Sequence, residues 1–195
     1  MPDPFELRSS RVCLRRLRPD DAAAIVGYRS LPEVARFQSW ESFELADAVR
    51  LIENQASVVP NTPGTWLQLA IVPHATGPVI GDCGIHFRAD EPQQVELGIT
   101  LAPSHQGQGF AAEALEAVLV YVFGTLHKHR ASATTDANNP AASRLFRQLG
   151  FRQEAHFIEH VWFKGAWGSE FLFALLQREW RTLASAFPEA EVLVM

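Results

Sequence analysis

Two glycines one residue apart, Gly107 and Gly109, carry the most chemical information in this chain of 195 residues. In front of them lies the β-prone run 95–101. Behind them, residues 111–123 are rich in Ala, Leu and Val and read as a helix. Glycines let a backbone turn successive N–H groups toward one point, and a helix start adds unpaired amides and the positive end of its dipole. Strand, glycine loop and helix together predict an anion cradle, typically for phosphate. The dinucleotide pattern G-x-G-x-x-G needs a third glycine, and the P-loop G-x-x-x-x-G-K-[ST] needs a lysine; neither fits. A plain strand-to-helix turn that uses glycine for positive φ stays open beside the phosphate reading, as does a nucleotide-binding protein with the same loop.

The rest of the chain offers little other chemistry. Cys13 and Cys83 sit in separate predicted strands without metal-ligand spacing and read as buried free thiols of a reducing cytosol. The 127–130 run His-Lys-His-Arg lacks acidic or cysteine partners, so no metal site is expected. No Cys–His or Ser–His arrangement suggests a covalent nucleophile. The formal charge of −5 argues against gripping nucleic acid through its phosphates. Five arginines between Arg8 and Arg18 form a local basic run, read as solubilising charge on an edge strand and its flanks. The longest apolar run, 117–123, is far below the roughly 20 residues of a membrane span. The first six residues contain no export signal. A soluble cytoplasmic protein without membrane contact is expected.

The elements that must position the loop follow from periodicity. Residues 12–17 read as a half-buried strand, and 21–30 as a helix with Asp20 as N-cap. A second helix is predicted over 44–57, and strands over 66–72 and 79–88, joined by the turn 74–78. After the central helix come a short strand, 130–135, and a helix, 140–149, opened by Pro140 and stopped by Gly150. Strand patterns at 151–163 and 169–176 form a closing hairpin, and the tail 185–195 carries no signal. A length of 195 residues with 47% hydrophobic content suits one domain, 1–195.

Gln106-Gly-Gln-Gly109-Phe-Ala111 resembles the Gln/Arg-x-x-Gly-x-Gly/Ala signature of the GNAT acyltransferases, whose loop amides bind the pyrophosphate of acyl-coenzyme A. Three further blocks resemble the family in its own order. Residues 11–22 look like its opening strand and first helix start. Residues 138–151, Asn-Asn-Pro-Ala-Ala-Ser-Arg-Leu-Phe-Arg-Gln-Leu-Gly-Phe, resemble its second motif. Residues 164–180 are similar to the closing strands of the branch that holds the ribosomal-protein N-terminal alanine acetyltransferases.

The resemblance implies an α+β fold: a mixed, largely antiparallel sheet splayed at the signature strand by a bulge and flanked by about four helices. It implies an N-acetyltransferase that uses acetyl-CoA on a primary amine of a small molecule or a peptide N-terminus, by direct attack. An acyl-CoA-binding sensor with little turnover is the alternative. A homodimer is left open.

The same resemblance assigns residues. Gln106, Gly107, Gln108, Gly109, Phe110 and Ala111 would hold the pyrophosphate. Backbone at Ile99, Thr100 and Leu101 would pair with pantetheine, and an N–H freed there would serve the thioester oxygen. Asn139 would contact the pantetheine region, cap the following helix, or do both. Glu96 is the candidate base, or else an exposed glutamate on a period-2 strand; facing the cleft, it would gain basicity from partial desolvation. Where many relatives carry a tyrosine acid, this chain has Phe146 on the cofactor side, and the branch's serine is Ala142. Ser143, about 100° further round the helix, or else water, would then serve the departing thiolate. Phe37, Trp40 and His86 are the acceptor-side candidates, His86 also as an alternative base, with a core Trp40 and a structural strand His86 as the plainer readings.

Overall fold

A computed structural model describes residues 5–73 and 77–186. Alternating apolar residues build one eight-stranded sheet in the order β1-β2-β3-β4-β5-β6-β8-β7. The strands are β1 (Glu6–Arg8), β2 (Val12–Arg16), β3 (Thr65–Pro73), β4 (Gly81–Phe87), β5 (Gln94–Leu101), β6 (Arg130–Asp136), β7 (Arg152–Phe163) and β8 (Ala166–Leu176). Every pairing is antiparallel except β5 with β6. Helices α1 (Ala22–Arg29), α2 (Pro32–Ala35), α3 (Leu45–Ala56), α4 (Phe110–Leu119), α5 (Pro140–Gln148) and α6 (Gln177–Ala186) complete the described residues.

The period-2 alternation sends the two faces of the sheet to different cores. On one, Leu67, Leu69, Ile71, Ile85 and Val95 pack under α4 through Leu115 and Val118. On the other, Cys13, Ala70 and Val72 meet Ile25, Tyr28, Ala48 and Ile52 from α1 and α3. Helix α4 loosens into a π-helical stretch at Val120–Thr125. Both cysteines are buried and unpaired, and burial pushes each thiol pKa upward.

Several expectations need correction. Two further helices and one further strand are present: α2, α6 and β1. Helix α6 had a readable signal, since Glu179 turns back to accept the Leu176 N–H at 2.9 Å, and Trp180 packs on Phe123. Asp20 is exposed and caps nothing. Its neighbour Asp21 accepts the Arg18 N–H at 2.7 Å across a 3₁₀ turn, Pro19–Asp21, that precedes α1. The basic run is not loose solvated charge on an edge, because β2 lies inside the sheet. There Arg15 is buried in a bidentate pair with Asp21, both bonds 2.8 Å. The predicted turn 74–78 lies mostly outside the described residues, as does nearly all of the tail 185–195. No described helix is long and apolar enough to cross a membrane.

Candidate active site

The glycine loop sits between the end of β5 and the start of α4, after a 3₁₀ turn at Pro103–His105. Gly107 and Gly109 adopt φ +72° and +85°, the left-handed region closed to most side chains. Gly109 is the N-cap of α4, and the first helical hydrogen bond runs from the Glu113 N–H to its carbonyl at 3.1 Å. No described residue accepts the amides of Gly107, Gln108 or Gly109, and those of Phe110, Ala111 and Ala112 precede the first helical acceptor. Six successive N–H groups are thus available at a helix N-terminus. Gln106 braces the loop through its side-chain amide to the Leu101 carbonyl at 3.0 Å, and Gln108 through its own to Ser104 at 2.8 Å.

The sheet is split next to this loop. Parallel pairing between β5 and β6 covers only Gln94–Arg130, Val95–Ala131 and Glu96–Ser132. Beyond Glu96 the strands part, while β6 stays paired with β8 as far as Asp136. The expected bulge is absent: β5 pairs with β4 without a register shift from Val95 to Leu101. Each strand follows the twist of its other neighbour, and that opens the gap. Two clefts meet there. One, of about 630 Å³, runs along the glycine loop between Ile99–Leu101 and the start of α5. The other, of about 300 Å³, lies where the split meets the α2–α3 loop and the β7–β8 hairpin. Phe37, Gln38, Ile99, Asn139 and Ala142 line both.

A family model described as an acetyltransferase (GNAT) domain matches residues 11–152, which include the loop and both sides of the split. The chain belongs to the GNAT acetyltransferase family. It is an N-acetyltransferase, and its acyl donor is acetyl-CoA. An uncharacterized N-acetyltransferase, YnaD, of Bacillus subtilis is 33% identical over 176 residues, 90% of this chain and 99% of that one. A ribosomal protein uS5-alanine N-acetyltransferase of Escherichia coli is 32% identical over 84 residues, 43% of each chain. The crystal structure of spermidine N-acetyltransferase from Vibrio cholerae, in complex with CoA and spermine, superposes with a TM-score of 0.75 at 22% identity. The match covers 89% of this chain and 99% of that one.

The acetyltransferase loop fits a diphosphate on its own geometry. A Cβ built on Gly107 would meet no protein atom within 4 Å, so the space over that amide is open. Ile99, Thr100, Leu101, Gln106, Gly107, Gly109, Phe110, Ala111 and Asn139 line the longer cleft. Gln108 does not, and Phe146 lines the shorter cleft instead. Asn139 caps α5 by accepting the Ala142 N–H at 3.1 Å, and it also lines both clefts.

The other candidates scatter. Glu96 lines neither cleft: it stands where the ladder is still closed, 3.8 Å from Nδ1 of His86. His86 in turn stacks on Trp66 at 4.8 Å and also lies off both clefts. Ser143 is buried, its Oγ without a hydrogen-bond partner, and faces neither cleft. Trp40 is structural: its indole N–H donates to the Arg29 carbonyl at 3.0 Å, and its ring lies under the Arg29 guanidinium. Phe37 alone of the acceptor-side candidates reaches the clefts.

Three features escaped the sequence reading. Arg36 and Arg144 line the longer cleft, adding cations beside the amides. Arg11 lies under the loop, donating to the Gln108 carbonyl at 3.1 Å, while Glu113 holds it at 2.7 Å. Burial pushes the Glu113 carboxyl up, but the Ser9 and Ser10 hydroxyls and the Arg11 N–H and guanidinium outweigh it and hold its pKa at about 2. Glu170 lines the shorter cleft, with His160 against it. The family's loop pattern announces neither pair, because each joins elements far apart in the chain.

Proposed function

We propose that the protein transfers the acetyl group of acetyl-CoA to a primary amine, of a small molecule or a peptide N-terminus, by direct attack within a ternary complex. The whole chain, 1–195, would act as one such domain. The observation that carries this reading is the meeting of two clefts at the split between β5 and β6. A thioester laid along the glycine loop would present its carbonyl at the junction, and an amine would approach it from the shorter cleft. Holding the two partners together supplies much of the acceleration. Acetyl-CoA brings an already activated acyl group, so no enzyme nucleophile is required.

Within this reading the amides of 107–112 hold the diphosphate, with Arg36 and Arg144 beside them. Backbone of Ile99–Leu101 orients the pantetheine arm from the edge that β6 leaves unpaired. Phe37, Val161 and Phe163 form apolar walls around the acceptor stem, and Asp136 and Glu170 give the shorter cleft negative charge suited to an ammonium group. Two proteins among the relatives carry acceptors in their names, spermidine and a ribosomal alanine, and both acceptors present a cationic primary amine. At the two positions compared above with the family's proton donors, this chain places Ala142 and Phe146, which have no proton to give and line the shorter cleft. The departing thiolate therefore takes its proton from the amine or from water. The buried, unpaired thiols fit a reducing cytoplasm as the working compartment.

Release of the coenzyme A thiol against a panel of primary amines tests the reading: acceptor-dependent thiol release is expected. Tight acetyl-CoA binding with no release for any amine would favour the sensor. A thermal-shift series separates both from a nucleotide-binding protein, which ATP or NAD would stabilise as strongly as acetyl-CoA.

A further inference from the structure

The geometry points to Glu170 as the catalytic base that takes the acceptor's proton, with His160 as the positioning residue behind it. The inference rests on the transfer reading above and names which side chain serves it.

Glu170 lies on β8 opposite Asp136 of β6, so both side chains leave the same face of the sheet, and both line the shorter cleft. Asp136 is occupied in part by the Asn138 N–H at 2.7 Å, which fixes the start of the loop to α5. Glu170 instead has a titratable partner: His160 Nε2 hydrogen-bonds its Oε2 at 2.6 Å. That contact is built by an irregularity. Pairing between β7 and β8 jumps from Phe157–Glu170 to Val161–Gly168, so residues 158–160 face Ser169 alone. Glu159 takes φ +47°, and its N–H donates to the Ser169 hydroxyl at 2.9 Å, closing the bulge. The extra residues swing His160 over to the Glu170 carboxylate. Bulges re-aim side chains in this way, and a non-glycine residue at positive φ persists only where its surroundings impose it.

The imidazole fixes the direction of the Glu170 carboxylate, and at 29% exposed that side chain keeps its own contact with water. An ammonium group entering the cleft gives one proton to the Glu170 carboxylate. The freed nitrogen lone pair forms the C–N bond at the thioester carbonyl carbon, and the C–S bond breaks with its electron pair on sulfur. A second amine proton ends on that sulfur, giving amide and thiol. The proton held by Glu170 then passes to water, which its partly exposed carboxylate reaches, and the carboxylate is restored. Glu96 lines neither cleft, so it does not face an amine bound there.

The test compares Glu170→Gln, Glu96→Gln, His160→Asn and His160→Phe in the full chain, with spermidine and an Ala-initiated pentapeptide as acceptors. Glu170→Gln is expected to lower kcat/KM for the acceptor about 100-fold or more, with KM for acetyl-CoA unchanged, while Glu96→Gln stays within about twofold. His160→Asn, which can still hydrogen-bond Glu170, should retain most of the rate that His160→Phe loses. Calorimetry of spermidine binding to the protein without acetyl-CoA gives a second readout: affinity should fall about tenfold or more in Glu170→Gln. Equal affinity in the two proteins, including none in either, or an unchanged acceptor kcat/KM, overturns the assignment. A large loss in Glu96→Gln with none in Glu170→Gln overturns it in favour of Glu96. Absence of transfer by the wild-type protein across both probes and the wider amine panel is a separate result, which sinks the functional reading itself.

Discussion

Gly107 and Gly109 look alike in the sequence but stand in different surroundings. A Cβ on Gly109 would come within 3.0 Å of the Arg11 guanidinium, whereas one on Gly107 meets open space. Gly107→Ala therefore isolates the ligand's claim on that space. It should cost only about 1 kcal/mol of stability through its left-handed φ, yet weaken acetyl-CoA binding more than tenfold by calorimetry. Gly109→Val should abolish binding and destabilise the fold together. At Glu113 the charge state does the work. Its carboxyl is ionised in the folded state down to about pH 2, against about 4.5 for the group's ordinary value, so it adds stability above pH 4.5 that is lost as pH falls toward 2. Denaturant titrations between those limits should show a shallower loss of stability in Glu113→Gln than in the wild type. The two glycines were legible because positive φ selects residue type directly. Arg11 and Glu113, 102 positions apart, were not, because only tertiary contact makes them a pair.

At the scale of elements, the shorter cleft is shaped by a hairpin and a loop that hold each other. Lys164 and Gly165, at φ +50° and +81°, make the two-residue turn between β7 and β8. The Lys164 ammonium donates to the Ala35 carbonyl at 2.7 Å and the Trp40 carbonyl at 2.5 Å, tying the hairpin tip to the α2–α3 loop that carries Phe37 and Gln38. Lys164→Met should leave KM for acetyl-CoA in place and raise KM for the acceptor several-fold; steady-state kinetics with each substrate varied will show it. Long, strongly periodic elements such as α3 and α4 were readable. Helix α2 was not, with four residues, nor β1, with three, because neither is long enough to establish a period. The β7 irregularity left no trace either, since nothing in Ile158-Glu-His160 marks glutamate for positive φ.

For the molecule as a whole, the two faces of the sheet are held by different means. The α4 face packs mainly through apolar side chains, while the α1 face encloses Asp82, which accepts from the Tyr28 hydroxyl, the Gln68 amide and the Arg29 Nε–H and Nη2–H. Burial and the Asp82 charge hold the Tyr28 hydroxyl well above its ordinary pKa, so it stays a neutral donor. Asp82→Ala strands a buried guanidinium and should cost about 3–5 kcal/mol, read as a lowered unfolding midpoint. It should also loosen Trp40, which rests on Arg29. Acetyl-CoA at about 100 times its Kd should stabilise the wild type by about 2.7 kcal/mol, a rise in Tm of about 5–10 °C.

By itself the sequence determined what depends on local geometry and composition: the glycine loop, its helix, the family they announce, and the alternation that commits each strand to two faces. Those follow from φ preferences and period, which act within a few residues. Only the tertiary structure decided which polar side chains reach the junction. The direction of a strand residue depends on register, and register here is set by a split without a bulge in β5 and a bulge in β7. That is why Glu96, chosen from the signature strand, stands apart from the cleft, and Glu170, unremarked in the sequence, lines it.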